Sequence, residues 1–383
     1  MEEKLFDAFE KVSRQQWQEK IVTDLKGKDY EGLLWNAAGL NGEPIYTKED
    51  LPANIPNLAN AHEAPELFGD RHWINYQWII VATEKEANTT ALKALNQGAE
   101  GIIFELTAEP DWSILLEGLE LNYCHLGLVD NHGGSGCLHS FLDYCEAKNI
   151  SKDQLQGFYA GADQSTTIGK FNTVHLQANE AFTNGLPVIE LACLLAQATD
   201  LYDQLTETGA SASHLLSQTQ FQLSIGSSYF VEIAKYRAMR GLVMKFASAY
   251  GAELSPADVQ IMAMSSDWTG DLDDPHSHML HATTQAMAAI MGGADALCIK
   301  PFYPVFEQKD LAERAARNIS SILREESYLA KVIDPAAGTY YIESLTQQLS
   351  DQAWQLFLAI EEAGGLSSMD ATAVQSLYQK IKA

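Results

Sequence analysis

Cysteine pairs, basic charge and long apolar runs are all scarce in this 383-residue chain, and each shortage excludes something. The five cysteines, Cys124, Cys137, Cys145, Cys193 and Cys298, are odd in number, scattered and without C-x-x-C spacing. That excludes a disulfide framework and a cysteine-built zinc site, and points to a reducing compartment. Lysine and arginine total 25 against 51 acidic residues, a formal charge of −26. Phosphate backbones and anionic lipid are repelled, so neither nucleic acid nor membrane is an expected partner. No apolar run approaches a membrane span, and the opening MEEKLFDAFEKV is acidic. The expected location is the cytoplasm. Internal repeats and low-complexity linkers are missing too, while 46% hydrophobic content supports one large domain or two ordinary ones.

What is present divides near residue 70. In the first part Leu5, Phe6, Phe9 and Val12 share a helical face, and Ser13 with Gln16 forms a capping box for a second helix carrying Trp17, Ile21 and Leu25. Pro44, Pro52, Pro56 and Pro65 then forbid long regular structure, so residues 1–70 read as a helical and extended arm. Its Trp17, Trp35, Leu33 and Leu34 are more apolar than a free tail needs and make it the candidate for partner contact.

Residues 71–383 read as a (β/α)8 TIM barrel with C-terminal helices. Eight short apolar runs recur with amphipathic segments between most of them: QWIIVA (77–82), GIIFEL (101–106), HLGLV (125–129), LQGFYA (155–160), TVHL (173–176), FQLSI (221–225), VQIMAM (259–264) and ADALCI (294–299). A doubly wound sheet is the alternative. Thr83 with Glu86, and Asp274 before Pro275, mark helix starts.

Several residues invite a chemical reading. LVDNHGGSG (128–136) begins like the D-x-H-x-x-G loop of cobalamin domains with Asp130, Asn131, His132 and Gly133, but Ser135 replaces the second glycine. A strand-to-helix turn is the preferred reading. Asp271, Asp273, Asp274, His276, His278 and His281 crowd one segment and could hold zinc or iron, although acidic groups also favour a helix N-terminus. Glu232, Lys235 and Tyr236 share a helix face, as an interface network or, by preference, as a weakly paired charged face. His125, His139, His175 and His214 stand alone and are expected to be structural.

Three segments, IGSSYFVEIAKYRAMRGL (225–242), DPHSHMLHATTQAMAAIMGGADAL (274–297) and EESYLAKVIDPAAGTYYIESLT (325–346), resemble the barrel domain of methylmalonyl-CoA mutases. DLKGKDYEGLLW (24–35) and PIYTKEDLP (44–52) do so in the arm, in the family's order. The resemblance implies an adenosylcobalamin-dependent interconversion of methylmalonyl-CoA and succinyl-CoA by a CoA-binding barrel facing a cobalamin domain. No cobalamin-binding domain is expected in this chain, which stops at Ala383 soon after the barrel. It is therefore expected to be the non-catalytic small subunit of a heterodimer whose catalytic large subunit holds the adenosylcobalamin.

The family's site positions are degenerate here. Arg71 and Trp73 remain in RHWINYQW, but Trp78 stands at the family's tyrosine beside the cobalamin. Gln218 stands where an arginine meets the CoA anion, and Met262 and Met264 where a histidine and a glutamine bond the substrate. The family's catalytic histidine falls near Asn179, with His175 four residues upstream. No catalytic residue is expected. Ile79, Ile103, Leu126, Leu128, Met262 and Met264 are expected to fill the axis that CoA threads in active members. Two alternatives stay open: an active mutase chain using a cobalamin domain in trans, which needs an open axis, and a metal-dependent barrel enzyme using the 271–281 cluster.

Overall fold

Each short apolar run becomes a strand buried on both faces, because helices cover its outer side and neighbouring strands its inner side. The computed structural model describes residues 12–52, 71–132, 136–162, 168–207, 209–265, 275–301 and 309–382. Strands β1 (Trp35–Ala37) and β2 (Leu40–Gly42) form an antiparallel hairpin in the arm. Then come β3 (Ile74–Ile80), β4 (Gly101–Leu106), β5 (His125–Asp130), β6 (Gln156–Ala160), β7 (Lys170–Asn172), β8 (Val174–Gln177), β9 (Thr219–Ile225), β10 (Gln260–Ser265) and β11 (Ala296–Cys298). They pair in parallel in the order β7-β6-β5-β4-β3-β11-β10-β9-β8.

Nine strands fill eight barrel positions. Residues 170–177 run as one length broken at the buried Thr173, whose first half pairs with β6 and second half with β9. That switch of partner closes the sheet into the expected (β/α)8 barrel. The first strand begins at Ile74, three residues before the apolar run QWIIVA, since Ile74 already pairs with Ala296.

Inside the barrel large and small residues interleave. A Cβ on Gly127 would lie 2.6 Å from the Phe158 ring, and one on Gly101 would overlap the Tyr76 ring. These glycines make room for two aromatics within the bore. Gly127→Ala is expected to cost about 1–3 kcal/mol by overpacking, read as a lowered urea midpoint with an unchanged slope.

The described arm is half attached. Leu40 is fully buried, Tyr46 lies 5.1 Å from the Tyr341 ring centroid, and Ser344 Oγ donates to the Asp50 carbonyl at 2.9 Å. The hairpin therefore packs on the protein's own helix Tyr340–Glu362. The helix Arg14–Asp24, begun by the expected Ser13–Gln16 capping box, buries no residue. Ion pairs from Arg14 to Asp50 and Glu43 tether it. Among the described residues no helix is long and apolar enough to cross a membrane.

Candidate functional site

Side chains alternate along a strand, so register decides which ones meet at the barrel axis. Trp78 pairs in register with Ile103, Gly127 with Phe158, and Met262 and Met264 with Ala296 and Cys298. Tyr76, Ile103, Phe158, Met262, Met264, Ala296 and Cys298 form one buried cluster, with Trp78 and Val129 packed against it. The expected filling of the axis by Ile103, Met262 and Met264 holds. Ile79, Leu126 and Leu128 instead belong to the cluster beneath the surrounding helices, one residue out of phase with the bore. Tyr76 and Phe158 take the space assigned to them. Tyr76 is two residues from Trp78, so strict alternation around Trp78 points to it, whereas nothing in LQGFYA singles out Phe158.

His175 sits in the same interior. Its ring stacks on Phe158 at 4.6 Å between centroids, with Nδ1 3.1 Å from Gln220 Oε1 and Nε2 3.0 Å from Gln222 Oε1. Burial pulls its pKa down to about 4. The ring is therefore neutral at pH 7, with one nitrogen donating and the other accepting, so one of the two glutamines turns its NH2 to it. Gln222 Nε2 also meets Met264 Sδ at 3.7 Å. Asn179, the other position near the family's histidine, only caps the turn Glu180–Thr183 through its bond from Ala181 N.

His125 is likewise held at about 4 by burial, against an unfolded value near 6.5. Below pH 6.5 the unfolded chain takes up protons that these folded imidazoles refuse, so stability present at pH 7 is lost as the pH falls from 6.5 towards 4. We expect on the order of 2 kcal/mol per histidine across that window. Urea midpoints at pH 7 and pH 4.5 check it, with His175→Gln flattening the difference.

At the C-terminal ends of the strands several described side chains hydrogen-bond to one another. Trp78 Nε1 donates to Glu105 Oε2 at 2.9 Å, Asn131 Nδ2 donates to Glu105 Oε1 at 3.1 Å, and Lys300 Nζ lies 5.2 Å from the Trp78 ring centroid. Beside it Asp130 accepts from the His132 backbone N–H, is hydrogen-bonded to His132 Nδ1, and accepts from Tyr159 Oη at 2.9 Å. The strand ends at Asp130 and a helix begins at Cys137, as the turn reading requires; Gly133 and Ser135 lie outside the described residues.

The N-terminal mouth is open. A cavity of about 960 Å3 lies below the Tyr76 layer, lined among others by Gln218, Gln220 and Gln260. Gln218 Nε2 donates to the Gly169 carbonyl at 3.2 Å. Arg71, by contrast, lies off the axis: its guanidinium is buried and bonded to the carbonyls of Ile290 and Ala294.

The Asp/His cluster gains no support. Asp271, Asp273, Asp274 and the side chain of His276 lie outside the described residues. Burial lowers the pKa of His278 and of His281. Among the described residues no group of three histidine, cysteine or acidic side chains is placed to hold a metal.

The charged face around Lys235 is corrected. Lys235 is 2% exposed and its Nζ meets Glu232 Oε2 at 2.7 Å, Glu190 Oε2 at 2.9 Å and the Ser224 carbonyl at 2.6 Å. The missing element was Glu190, 45 residues away in sequence, which also accepts from Ser224 N and Oγ. Two arginines of the same helix behave alike: Arg237 pairs with Asp334 and Glu343, and Arg240 with Asp295 at 2.7 Å. The segments EIAKYRAMR and DPAAGTYYIES thus clasp each other as buried structure rather than lining the bore.

Against this geometry the similarities to known proteins can be placed. The profile of the family described as methylmalonyl-CoA mutase matches residues 162–382. The chain is 31% identical to the methylmalonyl-CoA mutase small subunit of Porphyromonas gingivalis, over 97% of this chain and 66% of that one. It is 28% identical to the small subunit of Streptomyces virginiae, over 93% and 65%. It is 24% identical to the mitochondrial methylmalonyl-CoA mutase of Homo sapiens, over 94% and 57%. The chain thus spans less than two thirds of the curated relatives it matches, and barrel, signature segments and profile agree: it belongs to the methylmalonyl-CoA mutase family.

Proposed function

We propose that this chain is the non-catalytic small subunit of a heterodimeric, adenosylcobalamin-dependent methylmalonyl-CoA mutase of the cytoplasm. Its partner, a catalytic large subunit, holds the cobalamin and interconverts methylmalonyl-CoA and succinyl-CoA. The observation that carries this reading is the filled axis. Tyr76, Trp78, Ile103, Phe158, Met262 and Met264 occupy the line along which a thioester would pass, and His175 is locked between two glutamines. A packed bore admits no acyl chain without unpacking the core.

Among the described residues at the C-terminal ends of the strands, Trp78 and Glu105 already satisfy each other and the His132 Nδ1 is bound to Asp130, which leaves none of these groups for a corrin. No step of the reaction is assigned to this chain. Its contribution is to the assembly, and the helix Arg14–Asp24 is the surface offered to the large subunit. That helix buries nothing, while Val22, Leu33 and Leu34 are 51%, 38% and 42% exposed nearby in sequence. An 11-residue helix is marginal alone in water and gains its stability from packing.

Co-expression with a catalytic large subunit tests the assembly: the two chains co-purify, and Trp17→Ala with Leu33→Ala weakens the complex at least tenfold. Calorimetric titration of CoA into this chain alone tests the axis. We expect no binding heat up to about 1 mM; saturable heat would return the chain to the active class.

A further inference from the structure

Helix Tyr340–Glu362 packs along helix Pro187–Glu207, and near its end Glu361 meets Asp200 and Asp203 of that neighbour. The two aspartates are committed. Asp200 Oδ2 accepts from Ser367 N at 2.9 Å, and a Cβ on Gly365 would lie 2.8 Å from Asp200 Oδ1, so this carboxylate sits directly against the turn that follows the helix. Gly364 and Gly365 make that turn at φ +106° and +84°, where other residues resist. Asp203 Oδ1 accepts from Tyr250 Oη at 3.2 Å.

Glu361 is left over. Its Oε1 is buried with no hydrogen-bond partner, a condition that native structures ordinarily avoid. Among the described residues no cation pairs with any of the three carboxylates. Lys245, five residues before Tyr250, lies over the Trp354 ring at 4.0 Å instead. Lys380 and Lys382 belong to the last turn of helix Ala371–Lys382, where Lys382 lies 6.0 Å from the Tyr378 ring. Asp370, before that helix, accepts from Ala373 N at 2.8 Å, and Glu362 is exposed. Burial, then the charges of Asp200 and Asp203, push the Glu361 carboxyl up to about 7. Burial and the charge of Asp203 hold the Tyr250 phenol at about 12, so it stays a donor.

We propose that Glu361, Asp200 and Asp203 are a proton-operated latch on the C-terminal helix. With a proton on Glu361 its hydroxyl donates to a neighbouring carboxylate, and the group carries two charges. Without it, three like charges face one another across two helices with no cation between them. The part of this contact with least burial opens: the two-glycine turn, held to Asp200 through Ser367, and beyond it helix Ala371–Lys382, of whose residues Val374 and Tyr378 are buried. Tyr378 lies against Gly39 of the arm hairpin, where a Cβ would be 2.3 Å from its hydroxyl. Opening therefore also frees the hairpin turn.

Linkage fixes the direction. In the closed form Glu361 keeps its proton to about pH 7, and in the open form it releases it near 4.5. The latch is tightest below pH 4.5, weakens as the pH rises from 4.5 to 7, and changes little above that.

Hydrogen–deuterium exchange of the full chain at about pH 5.5 and pH 8, corrected for the intrinsic rate, reads the opening. Protection of residues 371–382 falls at least tenfold between the two, against a ceiling of about thirtyfold for one proton over that window. Residues 345–357 keep theirs. Glu361→Gln cannot ionise, so it abolishes the dependence and holds at pH 8 the protection that the parent chain shows at pH 5.5. Asp203→Asn removes one opposing charge and displaces the fall in protection to lower pH by about half a unit or more; it keeps the test decisive if Glu361→Gln does not fold. Equal protection of residues 371–382 at both pH values in the parent chain would overturn the latch. So would a pH dependence that survives in Glu361→Gln, or an unmoved midpoint in Asp203→Asn. Neither the CoA titration nor the co-purification depends on these outcomes.

Discussion

Replacing Lys235 with methionine lowers the free energy of unfolding by about 3–5 kcal/mol. Among the described residues the lysine is the cation that pairs with both Glu190 and Glu232, which are 6% and 2% exposed. Without it two carboxylates stay in a region of low polarity with no counter-charge, and that uncompensated burial sets the size of the effect. The triple variant Lys235→Met, Glu190→Gln, Glu232→Gln recovers most of the loss, because it removes the charges together.

The pH dependence has a definite sign. Burial, then the charge of Glu190 against the attraction of Lys235, leaves the Glu232 pKa raised above its ordinary value. A carboxyl raised in the folded state gives stability that is present below the unfolded pKa near 4.5 and is lost as pH rises through the folded value. Lys235→Met raises it further, so the variant's deficit grows from pH 5 to pH 8. Urea titrations across that range check both statements, and a deficit below about 1 kcal/mol at pH 8 would return the triad to the rank of a weak surface pair.

Phe158→Ala costs a similar amount, about 3–5 kcal/mol. The ring is fully buried, it lies 5.9 Å from Tyr76, and it supports His175 at 4.6 Å. Gly127 sits directly beneath it and cannot move a side chain into the void. Loss of the ring opens a cavity in the axis and lets water reach the imidazole, so the His175 pKa climbs from about 4 towards 6.5. Thermal unfolding measures the first effect and proton NMR of the histidine the second. If Phe158→Ala is tolerated within about 1 kcal/mol, the bore is not a packed core and the case for a silent barrel falls.

The barrel was legible because βα alternation is a local property. All eight apolar runs coincide with strands, the pair Ser13–Gln16 stands at a helix start as read, and Thr83 accepts from Glu86 N at 3.4 Å; a helix begins at Pro275, while Asp274 lies outside the described residues. Trp78, Met262 and Met264 lie in or against the axial cluster because substitutions at aligned positions stay on the same strand face. Arg71 does not follow, since it precedes the strand and its long side chain turns to the carbonyls of a helix end. The charged triad escaped the helical periodicity that found Glu232 and Lys235, because periodicity ranks neighbours on one helix and carries nothing about Glu190 on another.

Composition, the alternating rhythm and the signature segments by themselves determined the class of fold, the family and the loss of charge at Gln218. Each depends on residue identity or on spacing within one strand or helix. Which half of each apolar strand meets the axis was decided only by tertiary structure, and so were the partner switch at Thr173, the burial of Lys235 and the open chamber at the N-terminal mouth. Register is a relation between strands far apart in the chain, and a shift of one residue exchanges the inner and outer faces.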